Sequence, residues 1–89
     1  MTRRWLVAGQ VQGVGFRAFV ARRATELGVT GEVRNLPDGR VEVIAQGSEQ
    51  ALAALRELIG TGPGMARVSS VENTEISVDM TEYKAFAIK

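Results

Sequence analysis

Residues 9–17 read Gly9-Gln10-Val11-Gln12-Gly13-Val14-Gly15-Phe16-Arg17, a passage from an apolar strand through glycines into the start of a helix. Such a loop leaves backbone N–H groups pointing outward, and the helix dipole adds partial positive charge to them. A nest of this kind binds an anion of phosphate size. Arg17, in the first turn, is placed to close over the same anion with its forked guanidinium. Composition removes most other chemistries. The 89 residues include no Cys and no His, so there is no disulfide, thiolate nucleophile, imidazole base or Cys/His metal site. Any reaction must proceed without a side chain that titrates near neutrality. On spacing alone the same glycines equally describe a tight connection, and a single Arg in a first turn is ordinarily solvated.

Generic phosphate motifs do not describe the loop. A Walker A loop needs Gly-Lys followed by Ser or Thr, which is lacking here. Gly13-x-Gly15-x-x-Ala18, with Glu32 downstream, formally satisfies a relaxed dinucleotide fingerprint. That fold requires a parallel, doubly wound sheet, whereas Pro37-Asp38-Gly39 specifies a hairpin turn.

The elements around the loop follow from periodicity. Arg4 to Val11 reads as a strand apolar on both faces, with Trp5 and Val7 opposite Leu6 and Ala8, which suits a central position. Phe16, Phe19, Val20, Ala24 and Leu27 recur at helical spacing, and Gly28 supplies a left-handed stop. Val29, Gly31 and Val33 alternate with polar residues, and Val41, Val43 and Ala45 form the returning arm of the hairpin. Ser48 is placed to cap a second helix with Leu52, Leu55, Leu58 and Ile59 as its buried stripe and Gly60 as its stop. Val68 to Val78 and Tyr83 to Ile88 read as strands. The order β-α-β-β-α-β, with the fourth strand split or carrying an extra piece, predicts one domain over residues 1–89, an α+β ferredoxin-like two-layer sandwich: an antiparallel sheet with two helices on one face.

The formal net charge is only +1, but residues 1–34 hold six arginines against Glu26 and Glu32, a net of +4. An anion therefore favours the amino-terminal part. The opening Thr2-Arg3-Arg4-Trp5 faintly resembles a twin-arginine export signal, yet Gln10 and Gln12 interrupt the apolar run. No span approaches the roughly 20 apolar residues of a membrane helix. A cytoplasmic location with no membrane partner is the expectation.

Two longer stretches resemble a known family. GQVQGVGFR, Gly9 to Arg17, resembles the signature of acylphosphatases, and Gly31-Glu32-Val33-Arg34-Asn35 with Asp38-Gly39 resembles that family's second signature. Gly62-Pro63, Ala66 and Val68 are similar to a third stretch, so the resemblance runs from about residue 5 to residue 88. Members often carry Arg at the position of Gln10 and Trp at that of Glu32; neither departure removes a group assigned to chemistry. The resemblance implies hydrolysis of the carboxyl–phosphate anhydride of acyl phosphates by a monomer, without metal or cofactor and without a nucleic-acid partner. It implies that Arg17 holds the phosphate and that Asn35 orients the attacking water. Gln12, Gly13, Val14, Gly15, Phe16 and Arg17 would make the substrate cradle, with inorganic phosphate or sulfate as product-like ligands.

The chemistry suits so thin an inventory. A carboxylate leaving group, whose conjugate acid has a pKa of about 4–5 by analogy with Asp and Glu, departs without a general acid. Phosphoryl transfer asks mainly for positioning and charge stabilisation. The substrate's own phosphate oxygen can take the water proton. In a ferredoxin-like order one strand separates the loop from Asn35, about 10 Å, which a loop and a long Arg can bridge. Two non-enzymatic readings stand beside this. One is a binding module for RNA or a phosphorylated peptide; an RNA-binding sheet needs exposed aromatics on its central strands, but the chain has five aromatics, two of them, Phe16 and Phe19, on the helix. A phosphate sensor without turnover would use the same Arg. Taken alone, Asn35 before Leu-Pro-Asp-Gly reads as a turn former, and Asp38 is a turn residue rather than a base.

Overall fold

Thr2–Gln10 forms β1 in a computed structural model that describes residues 1–75 and 82–89. Trp5 and Val7 are buried on its helix side and Leu6 on the other, as two-sided apolarity requires of a central strand. α1 (Phe16–Glu26) buries Phe16, Val20 and Ala24. Phe19 and Leu27 pack against the same core half-buried.

β2 (Thr30–Asn35) and β3 (Val41–Gln46) pair antiparallel as the expected hairpin. Its turn is closed by the Leu36 N–H donating to the Arg40 carbonyl at 2.8 Å. The Asp38 carboxylate accepts from the Arg40 backbone N–H at 3.0 Å and from its Nε at 2.8 Å. Asp38 is thus a turn residue, with both oxygens engaged locally.

α2 (Glu49–Thr61) starts at Ser48, whose Oγ accepts from the Ala51 N–H at 3.1 Å. Leu52, Leu55 and Ile59 form its buried stripe, with Leu58 only half-buried. The helix runs past Gly60, the expected stop, to Thr61. Gly60 takes a helical conformation. The chain turns away only at Gly62, which combines a φ of 70° with a following proline.

β4 (Arg67–Glu75) covers the first part of the strand expected at Val68 to Val78, whose residues 76–78 lie outside the described residues. β5 (Phe86–Ile88) covers the end of the strand expected at Tyr83 to Ile88.

The sheet order is β4-β1-β3-β2-β5. β1 pairs antiparallel with both β3 and β4. β5 instead runs parallel to β2, so the sheet is mixed rather than antiparallel throughout. That short strand covers the outer edge of β2, with Gly31 N–H donating to Ala85 O at 3.0 Å and Lys89 N–H to Val33 O at 2.8 Å. The result is the expected two-layer ferredoxin-like sandwich.

One row of side chains on the helix side is Val7, Val41 and Asn35, directly opposite one another across β1, β3 and β2. On the other face Glu42 is 3 % exposed. It accepts from Arg4 Nε and Arg34 Nε, both at 2.7 Å. A carboxylate that far from water persists because both its oxygens are bonded to cations.

Two outcomes follow from this packing. Gly31 has a φ of 142°, and a Cβ there would strike the backbone carbonyl of Ile44. Gly31→Ala is expected to lower stability by about 2 kcal/mol or more in urea unfolding. Gly64→Ala, where a Cβ meets nothing within 4 Å, should stay within about 0.5 kcal/mol. At the turn, the backbone N–H of Arg40, and then its guanidinium, hold the exposed Asp38 carboxyl below the usual aspartate range. A lowered pKa means that this small contribution is present above the unfolded-state value and is lost as pH falls through the folded one. An NMR titration should place Asp38 below ordinary aspartates, and Asp38→Asn should remove that acid limb of the stability curve.

Candidate active site

The loop between β1 and α1 turns on two glycines in left-handed conformation, Gly13 with φ 75° and Gly15 with φ 78°. Gly15 is the N-cap of α1 and offers no side chain to the helix's first N–H groups. The first backbone bond within the helix is from Phe19 N–H to Gly15 O at 3.0 Å. Ahead of it, the N–H groups of Gly13 to Arg17 donate to no protein group among the described residues. The first turn carries no acidic residue. The contrast with α2 is direct, because there Ser48 caps the end and Glu49 answers the dipole. The start of α1 is a positive, donor-rich end left open.

Asn35 faces this end from the last position of β2. Its Oδ1 is buried and accepts no hydrogen bond among the described residues. Buried acceptors are nearly always paired within a fold, so an unpaired amide oxygen beside an open nest marks a place where something else donates.

A cavity of about 190 Å³ joins the two. Gly13, Gly15, Arg17 and Asn35 supply its polar side, and Val11, Phe16, Ala18 and Ile88 supply its apolar walls. Among the described residues no carboxylate side chain lines it. Arg17 is half-buried and donates from Nη1 to the Lys89 backbone oxygen at 2.8 Å. Among the described residues its other four guanidinium N–H groups have no acceptor. A slightly larger cleft of about 220 Å³ lies at the opposite end of β1, where Arg3 and Arg56 share the lining with Glu49. It has mixed charge and no nest.

Five of the residues expected at the site, Gly13, Gly15, Phe16, Arg17 and Asn35, line one cavity. The side chains of Gln12 and Val14 point elsewhere. Gln12 Nε2 donates to Leu36 O at 2.8 Å and to Arg40 O at 3.0 Å, across to the hairpin. Val14 packs half-buried against the core. Sequence reasoning did not reach Val11, Ala18 and Ile88, nor Lys89 behind Arg17. Ala18 carried a weak signal, lying one residue beyond Arg17. Ile88 carried none, because only the parallel β2–β5 pairing brings it to the loop.

Comparison with known proteins agrees with this fold and identifies its family. The acylphosphatase family model matches residues 3–88. An acylphosphatase of Methylococcus capsulatus is 51% identical over 83 residues, covering 93% of this chain and 89% of that protein. The crystal structure of acylphosphatase from Bacillus subtilis superposes with a TM-score of 0.93 at 38% identity, covering 99% of this chain and 97% of that one. The structure of an acylphosphatase from Coxiella burnetii gives 0.90 at 40% identity, over 99% and 90% of the two chains. With its sequence matched almost end to end and its sheet, helices and cavity in place, the chain belongs to the acylphosphatase family of enzymes.

Proposed function

We propose that this chain hydrolyses acyl phosphates to carboxylate and inorganic phosphate, without metal, using Arg17, Asn35 and the backbone amides of the loop between β1 and α1. The observation that carries the reading is the unpaired, buried Oδ1 of Asn35 in the same cavity as the open N-terminus of α1.

The phosphoryl group lies against the N–H groups of Gly13 to Arg17, with the free arm of the Arg17 guanidinium on its oxygens. These donors are fixed by the fold before substrate arrives, so they stabilise the developing charge with little reorganisation. Asn35 Oδ1 accepts a hydrogen bond from a water and turns its lone pair toward phosphorus, while the amide Nδ2 donates to a phosphoryl oxygen or a second water. The water oxygen bonds to phosphorus as the bond from phosphorus to the bridging acyl oxygen breaks. The carboxylate leaves with the electron pair, and the water proton passes to a phosphate oxygen. A lining without carboxylate, in a chain without His or Cys, supports a mechanism with no metal and no protein base.

Hydrolysis of benzoyl phosphate in the presence of a chelator tests the reading. The unmodified protein should turn over at the same rate with and without EDTA. Arg17→Ala should weaken competitive inhibition by inorganic phosphate and lower kcat/KM about 100- to 1,000-fold, the scale of losing one oxyanion donor. Asn35→Ala should lower kcat on the order of 100-fold while phosphate inhibition changes by less than about twofold. No turnover by the unmodified protein refutes the hydrolase, and a rate abolished by EDTA refutes the metal-free mechanism.

A further inference from the structure

Gln12 occupies a position that the reaction needs and no reacting group fills. The cradle is on the loop after β1, Asn35 is at the end of β2, and β3 lies between those strands. Loop and water-positioning residue thus belong to different arms of the sheet. Gly13 and Gly15 bring no side chains to stiffen the loop, and a Cβ at either would meet nothing within 4 Å.

The side-chain amide of Gln12 crosses the gap. Its two N–H bonds go to Leu36 O at 2.8 Å and Arg40 O at 3.0 Å. Among the described residues these are the only hydrogen bonds between loop residues 11–15 and hairpin residues 35–41. Both acceptors belong to the mouth of the turn, where Leu36 N–H also donates to Arg40 O. Leu36 directly follows Asn35.

We infer that Gln12 is a positioning residue: its amide holds the phosphate cradle and Asn35 at the separation that in-line attack requires. This role rests on the acyl phosphate reading above. A primary amide is suited to it chemically. It presents two donors from one nitrogen to two carbonyl oxygens, whereas a carboxylate of the same shape would present acceptors to acceptors. The strut touches neither phosphate nor water, so removing it leaves the anion nest and Arg17 intact. What it disturbs is the alignment of the Asn35 water on phosphorus. Misplacement on the order of 1 Å costs up to about 100-fold in rate without a comparable change in binding.

Benzoyl phosphate kinetics on Gln12→Met and Gln12→Glu, each beside the unmodified protein, test the role. In Gln12→Met, kcat should fall about 10- to 100-fold, while the inhibition constant for inorganic phosphate moves by less than about twofold. In Gln12→Glu, the introduced carboxylate repels both carbonyls at neutral pH. As pH falls, protonation makes one oxygen a donor. The ratio of its kcat to that of the unmodified protein should therefore rise toward acid, and that of Gln12→Met should stay flat. A kcat within about twofold of the unmodified protein in Gln12→Met overturns the role. So does a parallel loss of turnover and phosphate affinity, or an unfolded variant with no acid recovery in Gln12→Glu, since each makes the amide a support of the fold alone. An unmodified protein that does not turn over removes the hydrolase reading and this role together; turnover with an unaffected Gln12→Met removes this role only.

Discussion

β3 is antiparallel to both β1 and β2, and that single arrangement forces β1 and β2 to run in the same direction. Their carboxyl-terminal ends therefore emerge at one edge of the sheet, about 10 Å apart with a strand between them. The chain leaves β1 through the glycine loop, returns along α1 and leaves β2 at Asn35. This arrangement, with α1 packed against β2, brings residues 17 and 35 to a common cavity. The separation also sets the scale of the occupant, because it leaves room for a tetrahedral anion and a water between the two ends.

The two helices show how much of the chemistry is a matter of omission. Both begin after a sheet strand, and both have the unpaired N–H groups that every helix start presents. At α2 a hydroxyl accepts from one of them and a neighbouring glutamate answers the dipole. At α1 glycine stands in the capping position, no acid follows, and an arginine adds to the positive end. At a φ of 78° Gly15 is held in a left-handed conformation that a capping serine, extended as Ser48 is, does not share. The proposed anion site rests on the absence of ordinary capping at one end of one element.

What could be read in the sequence was whatever depended on near neighbours. The Ser48 cap, the local bonding of Asp38 and the buried stripe of α1 involve residues within a turn or two of each other, and spacing conveyed them. Asn35 and Arg17 were reached as a pair through the signatures, because a lone Asn before a turn and a lone Arg on a helix each have commonplace explanations. The contacts of the Gln12 side chain were out of reach for a related reason. Its membership of the loop said nothing of a bond to carbonyls 24 and 28 residues away. Ile88 and Lys89 were invisible, since the strand that ends at Ile88 is three residues long and pairs with β2 across more than half the chain. Gly60 misled because glycine is permissive. It accepts a helical conformation as readily as an end, and the proline after Gly62 decided the matter.

The carboxylate of Glu42 has a bearing on the opposite face of the sheet. Through Arg4 and Arg34 it ties β1, β3 and β2 to a single register. Arg34 and Asn35 are successive residues on a pleated strand, so they point to opposite faces. Slipping β2 by one position would turn Arg34 into the apolar layer, strand a buried carboxylate with one cation, and swing Asn35 out to solvent. The ion triad thus discriminates against a misregistered sheet that would retain nearly all its backbone bonds yet lack an active site.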